Sequence, residues 1–283
     1  MAIVNSNFIP ELWAAALLEE LETSLVYAGP EIVNSDYEGD IREKGSKVHI
    51  VSPGAPNERE YVPGTPLVYE QPSDTEQVLE ITEARYSAWK MNDILRKQQN
   101  PGMLQAWASS AKTALAKRAD SFISSKYVEV APGNHLGTVA ILTPEIADFK
   151  LVDMGVVLDN NDVPDDGRWV VIPPWYHGLL EKNPTFVDAS KSNDPGILRN
   201  GFIGTARRFK IFKSNTTPFP GGDDNIIIAG YKGAITFAQQ IPVGEVETLR
   251  SESDFADLMR ILHLYGGEVI RPDKLAVMQA SIT

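Results

Sequence analysis

The longest regular pattern of apolar positions runs from residue 100 to residue 126. Apolar side chains recur there at steps of three or four residues: Leu104, Trp107, Ala111, Leu115, Ala119 and Phe122. This spacing predicts a helix with one buried face, with Asn100 as its N-cap and Pro101 at its first position. At about 1.5 Å per residue the helix would be roughly 38 Å long. Because the opposite side carries polar residues, the helix is predicted to lie on a surface; these residues are Gln105, Lys112, Lys117 and Asp120.

A second helical pattern covers residues 5–28 and ends at Gly29-Pro30. Pro10 and Glu11 suit the first turn, where the helix macrodipole favours a carboxylate. The apolar stripe of this helix consists of Leu12, Ala15, Leu18, Leu21 and Leu25. Such a stripe needs a partner surface, which we expect to be either another subunit or the long helix.

Residues 31–89 have an extended pattern. Val48–Val51 and Val78–Trp89 have the composition of strands, and the segment between them contains five prolines. Because proline donates no backbone hydrogen bond, this segment cannot be the centre of a sheet. The pattern predicts a long two-stranded arm with a polar tip. An isolated hairpin is marginally stable in water, so we expect the arm to dock on a neighbour and bury the apolar residues Tyr61, Leu67, Val68 and Tyr69.

The remaining chain alternates short strands with short helices, which together indicate an α+β protein with a mixed sheet. Strands are predicted at Val139–Ile141, Trp169–Ile172, Gly201–Phe212, Ile226–Ala229, Ala234–Gln240 and Glu268–Ile270. Short helices are predicted after Thr143 and after Pro173-Pro174. A third helix is predicted over Asp254–Tyr265, capped by Ser253 and stopped by Gly266-Gly267.

Composition narrows the classes of protein that this chain can be. The 283 residues allow one or two domains, and the absence of cysteine excludes disulfides, thiolate metal sites and a cysteine nucleophile. The longest apolar runs are far shorter than the roughly 20 residues that span a bilayer. A net charge of −12 argues against tight binding to nucleic acid, whose phosphates are neutralised by lysine and arginine.

Patterns typical of enzymes are missing from the sequence. The four histidines form no H-E-x-x-H motif, and no G-x-S-x-G elbow or glycine-rich phosphate loop occurs. The turn at 159–167 has the acidic residues of a calcium loop, but Val163 stands where an oxygen ligand is needed. Trp169, Trp175 and Tyr176 are interpreted as core. No catalytic, cofactor-binding or metal-binding residue is therefore predicted.

Four stretches, taken in order, carry a resemblance to a known family. They are Phe8–Trp13 with Val26–Ala28, Asp36–Gly39 and Gly45–Ile50; the long helix; Leu158–Pro164 with Gly167–Pro174; and Arg250, Phe255–Asp257, His263–Gly266 and Val269–Pro272. Together they resemble the major capsid proteins of tailed bacteriophages with the HK97-type fold, in the branch of the P22 coat protein family. The chain is too short to include the extra inserted domain of the P22 protein itself.

The resemblance implies an α+β, HK97-like fold that consists of an N-arm, an extended β-hairpin called the E-loop, a peripheral domain with a long spine helix, and an axial domain with a central mixed sheet. It places the N-arm at residues 1–35 and the E-loop with its flanking strands at 36–91. The peripheral domain with the spine helix would cover 92–130, the axial domain 131–265, and the return to the peripheral domain 266–283.

The resemblance also implies a function. A major capsid protein assembles into an icosahedral shell of hexamers and pentamers around phage double-stranded DNA, without enzyme activity or a cofactor. Its partners would be copies of itself, a portal protein, a scaffolding protein and a cement protein, and its location would be the virion. Candidate subunit contacts are Trp13, Leu18, Leu21, Leu25, Arg59, Glu60, Tyr61 and Tyr69.

Two other functions remain open at this point. An encapsulin-type compartment would share the fold, and a metal-dependent or carbohydrate-acting enzyme on a mixed α/β scaffold is the alternative from another class. Within the capsid interpretation, Lys44 and Lys47 lie only at the base of the arm, and Arg59 at its tip stays protonated. We therefore expect a shell without isopeptide crosslinks.

Overall fold

The computed structural model describes residues 25–36, 47–53, 59–60, 69, 74–92, 102–183, 202–221, 224–240, 247–251, 253 and 255–282. The predicted contact residues Trp13, Leu18, Leu21 and Tyr61 lie outside these ranges, as does the predicted cap Asn100. No helix in the described ranges is long and apolar enough to cross a membrane.

The described residues form three α-helices, twelve strands and three short 3-10 turns. The helices are α1 (Gly102–Ser125), α2 (Pro144–Asn160) and α3 (Pro174–Leu180). The strands are β1 (Lys47–Pro53), β2 (Asp74–Glu80), β3 (Glu83–Asn92), β4 (His135–Ala140), β5 (Arg168–Ile172), β6 (Phe202–Ala206), β7 (Phe209–Lys213), β8 (Asp224–Tyr231), β9 (Ile235–Gln240), β10 (Glu247–Arg250), β11 (Ala256–Val269) and β12 (Leu275–Ser281). The 3-10 turns are Lys126–Glu129, Pro132–Asn134 and Pro272–Lys274.

Six strands form a mixed sheet in the order β4-β12-β8-β5-β7-β6. The pairs β12/β4 and β5/β7 are parallel and the other pairs are antiparallel, so the predicted mixed sheet is present. Every residue of β5 is buried, which explains its unbroken apolar run. One face of the sheet packs with α2 and α3 around Leu151, Met154 and Tyr176. Thr143 caps α2, as predicted, by accepting the N–H of Ile146.

The strand β12 was not predicted from the sequence. Its residues form a continuous apolar run with a single glutamine, and it lies between β4 and β8 inside the six-stranded sheet. A short apolar run of this kind is typical of a strand buried on both faces. The run lacks the alternation that marks a half-buried strand, which is why the pattern gave no signal.

A four-stranded sheet has the order β10-β11-β3, and β9 also pairs with β11. The helix predicted over residues 254–265 is wrong, because β11 occupies most of that stretch. Alternate side chains of β11 are buried on one face: Met259, Ile261, His263 and Tyr265. Leu262 and Leu264 pack on the other face, against the cluster that includes Ile50 and Leu79. Because both faces of this strand carry apolar residues, their combined spacing along the sequence resembles that of a helix.

The glycines expected to stop that helix instead lie inside β11. Gly266 and Gly267 pair with Ala238 and Phe237 of β9. A β-carbon at Gly266 would collide with the backbone oxygen of Glu80, and one at Gly267 would collide with the side chain of Ile123. These glycines therefore allow the close approach of neighbouring chain segments.

The arm predicted from residues 31–89 begins as an antiparallel hairpin in which Lys47–Pro53 pairs with Asp74–Glu80. The long strand predicted at Val78–Trp89 is two strands, because β2 ends at Glu80 and β3 starts at Glu83. Ile81, at the break, is buried in the cluster between the hairpin and β11. The hairpin therefore covers part of the outer face of the four-stranded sheet.

The long helix is confirmed as α1 over residues 102–125. Its buried residues include Ala111, Leu115 and Ala119, as predicted. Asp120, however, was predicted to face solvent and is only 3% exposed. The helix predicted over residues 5–28 does not reach its expected end, because residues 25–28 are not helical.

One of the predicted domain boundaries falls inside a strand. The boundary at 265/266 falls inside β11, and residues 275–281 belong to the six-stranded sheet. β9, predicted for the axial domain, pairs with β11 in the four-stranded sheet. The other boundaries stay predictions.

Candidate subunit-contact surfaces

We call residues 25–36 the root segment, because they connect the N-terminal residues to the rest of the chain. Leu25, Tyr27, Ile32 and Val33 are buried, in a cluster shared with α1, β9 and β11. Leu25 was expected to pack on the long helix or on another subunit. At 1% exposure it is already covered within its own chain, which leaves no surface of Leu25 for a neighbour.

The root segment is held by polar contacts on three sides. The carboxylate of Asp120 on α1 accepts the N–H groups of Val26 and Ala28 at 3.0–3.1 Å. Asn34 forms a parallel bridge with Thr236 of β9. Glu31 pairs with Lys210 of β7 at 2.6 Å, and this bond lowers the pKa of Glu31. The segment thus connects the helix with strands from both sheets.

Asp120 has an unusual electrostatic position. Burial raises the pKa of its carboxyl to about 6, although the backbone N–H bonds act in the opposite direction. In the described ranges no lysine or arginine forms an ion pair with it. By contrast, the equally buried Asp148 of α2 is bound by Arg207 through two hydrogen bonds of 2.9 and 2.6 Å.

The turn at 159–167, which has a partial calcium-loop pattern, is organised around an arginine. Arg168 is 2% exposed, and its guanidinium lies 2.7 Å from Asp159 and 3.1 Å from Asp165. Arg208 pairs with the same two carboxylates. The hydrogen bond from Arg168 lowers the pKa of Asp159. These carboxylates therefore join the turn to the β6–β7 turn.

Nothing in the described residues groups three or more His, Asp or Glu side chains in a way that could hold a metal ion. His263 is buried, donates its Nε2–H to the side-chain oxygen of Gln239 at 3.2 Å, and has a pKa lowered to about 4 by burial. His177, which is mostly buried, lies 3.7 Å from Glu181 at the end of α3. Trp169 and Tyr176 are core residues, as predicted.

The described residues between β1 and β2 are exposed. Arg59 and Glu60 are exposed, and the ring of Tyr69 is 88% exposed. The structure does not bring these candidates together with Leu25, which lies in the core. Their role in a subunit contact stays a prediction.

A second exposed apolar surface was missed from the sequence. It is the outer face of the four-stranded sheet beyond the β1–β2 hairpin, where Tyr86 is 76% and Leu249 is 44% exposed. A groove of about 330 Å³ opens there; its lining includes Trp89, Leu249 and Leu258. Phe255, at 79% exposure, precedes β11. This face was not predicted, because residues 254–265 were expected to form a helix and not a strand of a sheet.

Helix α2 exposes a third apolar surface. Phe149, Val152 and Val156 follow one another at steps of three and four residues and are 40–63% exposed. This spacing places them on one stripe, opposite the buried Leu151, Met154 and Leu158. The sequence predicted only a short helix after Thr143, whereas α2 has 17 residues.

Comparison with known proteins gives the family. A family model described as phage capsid protein matches residues 85–278. A solved structure from Mycobacterium phage Che8 is 31% identical, with a TM-score of 0.71 over 96% of this chain and 97% of that one. The capsid structure of the cyanophage P-SCSP1u is 16% identical, with a TM-score of 0.65 over 94% of this chain and 88% of that one.

An encapsulin from Synechococcus elongatus PCC 7942 is more distant. It is 14% identical and has a TM-score of 0.54 over 75% of this chain and 77% of that one, so it shows a shared fold alone. No curated protein matches the sequence. The family model covers most of the chain, and the predicted capsid fold is confirmed. The chain belongs to the phage capsid protein family, and it is a structural protein of the virion shell.

Proposed function

We propose that copies of this chain form a closed icosahedral shell of hexamers and pentamers around phage double-stranded DNA, held together by arms that lie on neighbouring subunits. The main support is the described part of the connection between β1 and β2, where Arg59 and Glu60 are exposed and Tyr69 is almost fully exposed. Tyrosine is enriched at protein interfaces, so a ring left uncovered in one subunit is available to pack on a neighbour.

The remaining assignments follow from this proposal. The hairpin and its connection correspond to the E-loop, α1 to the spine helix, the four-stranded sheet to the peripheral domain, and the six-stranded sheet with α2 and α3 to the axial domain. The N-arm comprises residues 1–35. The further partners of the protein are portal, scaffolding and cement proteins. The chain has no enzymatic role and needs no cofactor.

The arrangement of charge supports an enclosing role. The net charge of −12 makes the subunit repel the DNA phosphates instead of binding them tightly. Exposed ion pairs such as Lys47–Glu80 contribute little each, so the arms must supply most of the contact energy through apolar burial.

Electron microscopy of the purified full chain, expressed with and without its scaffolding protein, tests the proposal. We expect closed shells in at least one condition. Tyr69→Asp should reduce the yield of shells at least tenfold, because a charge would enter an apolar contact, whereas Tyr69→Phe should assemble normally. A chain that stays monomeric at high concentration in both conditions would contradict shell formation. Normal assembly of Tyr69→Asp would contradict the role of the arm alone.

A further inference from the structure

One buried carboxylate binds the first residues of the root segment. Asp120 is 3% exposed, and its two oxygens accept the N–H of Val26 at 3.0 and 3.1 Å and the N–H of Ala28 at 3.0 Å. Residues 25–28 form no regular helix or strand, so these bonds satisfy backbone donors that would otherwise be buried without a partner.

No cation compensates the charge of this carboxylate in the described part of the chain. Asp148 shows the alternative, because the same degree of burial there comes with a two-bond contact to Arg207. At Asp120 only peptide dipoles replace the lost water. An ionised carboxylate without a cation is costly to bury, and burial therefore favours its protonated form.

The other titratable side chains nearby do not change this balance. On the packed elements they are Tyr27 and Glu31 of the root segment, Lys126 after α1, Lys210 on β7, and His263 and Tyr265 on β11. The further cations Lys117 and Arg118 on α1 are exposed, Arg85 acts on Tyr265, and Lys232 acts on Glu31. Lys126 pairs with Glu129 and Glu268, and Lys210 pairs with Glu31. The pKa of the buried Tyr27 phenol is raised by burial and by Asp120, so Tyr27 stays neutral.

We propose that docking of the root segment on α1 is linked to protonation of Asp120, so that residues 25–28 are held more tightly in mild acid than at neutral pH. When the segment is undocked, water reaches the carboxylate and it ionises normally. When the segment docks, the carboxyl loses that water and binds a proton more strongly. Rising pH therefore favours release of the segment, and with it a change in how the N-terminal residues leave the body.

The size of the effect follows from linkage. The carboxyl has a pKa of 3.8 when free and about 6 when docked. The docking equilibrium should then weaken roughly 30-fold between pH 4.5 and pH 7.5, with most of the change below and around pH 6. The direction is opposite to that of an Asp stabilised by a cation, whose contact is lost in acid.

Hydrogen exchange of the full-length chain tests the proposal, because the amides of Val26 and Ala28 are the donors themselves. Their protection factors, corrected for the intrinsic exchange rate at each pH, should fall roughly 30-fold from pH 4.5 to pH 7.5. The amide of Ser214, which bonds the carbonyl of Ile172, serves as an internal reference and should not follow this change.

Two variants complete the test. Asp120→Asn removes the titrating group and should abolish the pH dependence at residues 26 and 28. The matched control Asp148→Asn, at a carboxylate that has a cation, should leave it intact. Protection at residues 26 and 28 that is constant or rises with pH in the native protein would overturn the proposal, as would a pH dependence that persists in Asp120→Asn. The native pH series alone decides the question if a variant fails to fold.

Discussion

At the scale of single residues, the protein buries two carboxylates in different surroundings. Asp148 has Arg207, and Asp120 has only backbone N–H groups. The sequence predicted the helix that carries Asp120 but not its burial. The helical period places Asp120 on the polar side, and only the root segment, more than 90 residues earlier in the chain, covers it. Such a contact between distant segments cannot be read from local spacing.

Two buried groups should change the stability of the protein in opposite directions as the pH rises. Asp120 has a pKa raised from 3.8 to about 6, so its contribution to stability is present in acid and is lost as the pH rises from about 4 to about 6. His263 has a pKa lowered from 6.5 to about 4, so its contribution is present above pH 6.5 and is lost as the pH falls. Each effect amounts to about 3 kcal/mol, and the two nearly cancel in the intact protein.

Urea unfolding of the wild type, Asp120→Asn and His263→Gln between pH 4 and pH 7 would measure both effects. The free energy of unfolding of the wild type minus that of Asp120→Asn should fall with pH. The same difference for His263→Gln should rise with pH. Equal slopes of one sign would show that burial does not control both groups.

At the scale of elements, the long helix was predicted correctly and the strand β11 was not. A long helix with one apolar face is unmistakable because its period is 3.6 residues, and α1 was found within two residues of its expected bounds. β11 was misread because it is buried on different faces at different points: Ile261 and Tyr265 on the α1 side, and Leu264 under the hairpin. Superimposed, the two faces imitate helical spacing.

The same strand gives a prediction about glycine. Gly266→Ala should lower the free energy of unfolding by about 2–3 kcal/mol, because the added methyl group meets the rigid backbone of Glu80. Gly267→Ala should cost about 1 kcal/mol, because the group it meets is the movable end of the Ile123 side chain. Thermal unfolding of the two variants measures the order. A larger loss in Gly267→Ala would contradict the packing of β11 against β2.

At the scale of the whole molecule, the fold and the family were predictable because several weak motifs occur in one order. The contact surfaces were less accessible to sequence reasoning. Exposed apolar residues such as Tyr86 and Leu249 come from strands far apart in the chain. Only the assembled sheet shows that they share one uncovered face. Function thus followed from the resemblance and the family match, and the surfaces followed from the structure.

The assembled shell should hold together without covalent links between subunits. The proline-rich part of the arm, residues 53–72, contains no lysine, and Arg59 is not a nucleophile. Boiling mature particles in detergent should therefore release one band at the chain mass of 31.1 kDa. Particles assembled in vitro from the purified chain serve as the uncrosslinked standard. A ladder of multiples from mature particles would disprove this expectation.

The place of β12 has a consequence for protein synthesis. Among the described strands β12 is made last, yet it lies between β4 and β8, and β4 has no other described partner. While the ribosome is still adding residues before 275, the six-stranded sheet has a gap at its second position, and β4 has nothing to pair with. A nascent chain therefore cannot complete the six-stranded sheet, and a chain that terminates before residue 275 lacks the strand that joins β4 to β8.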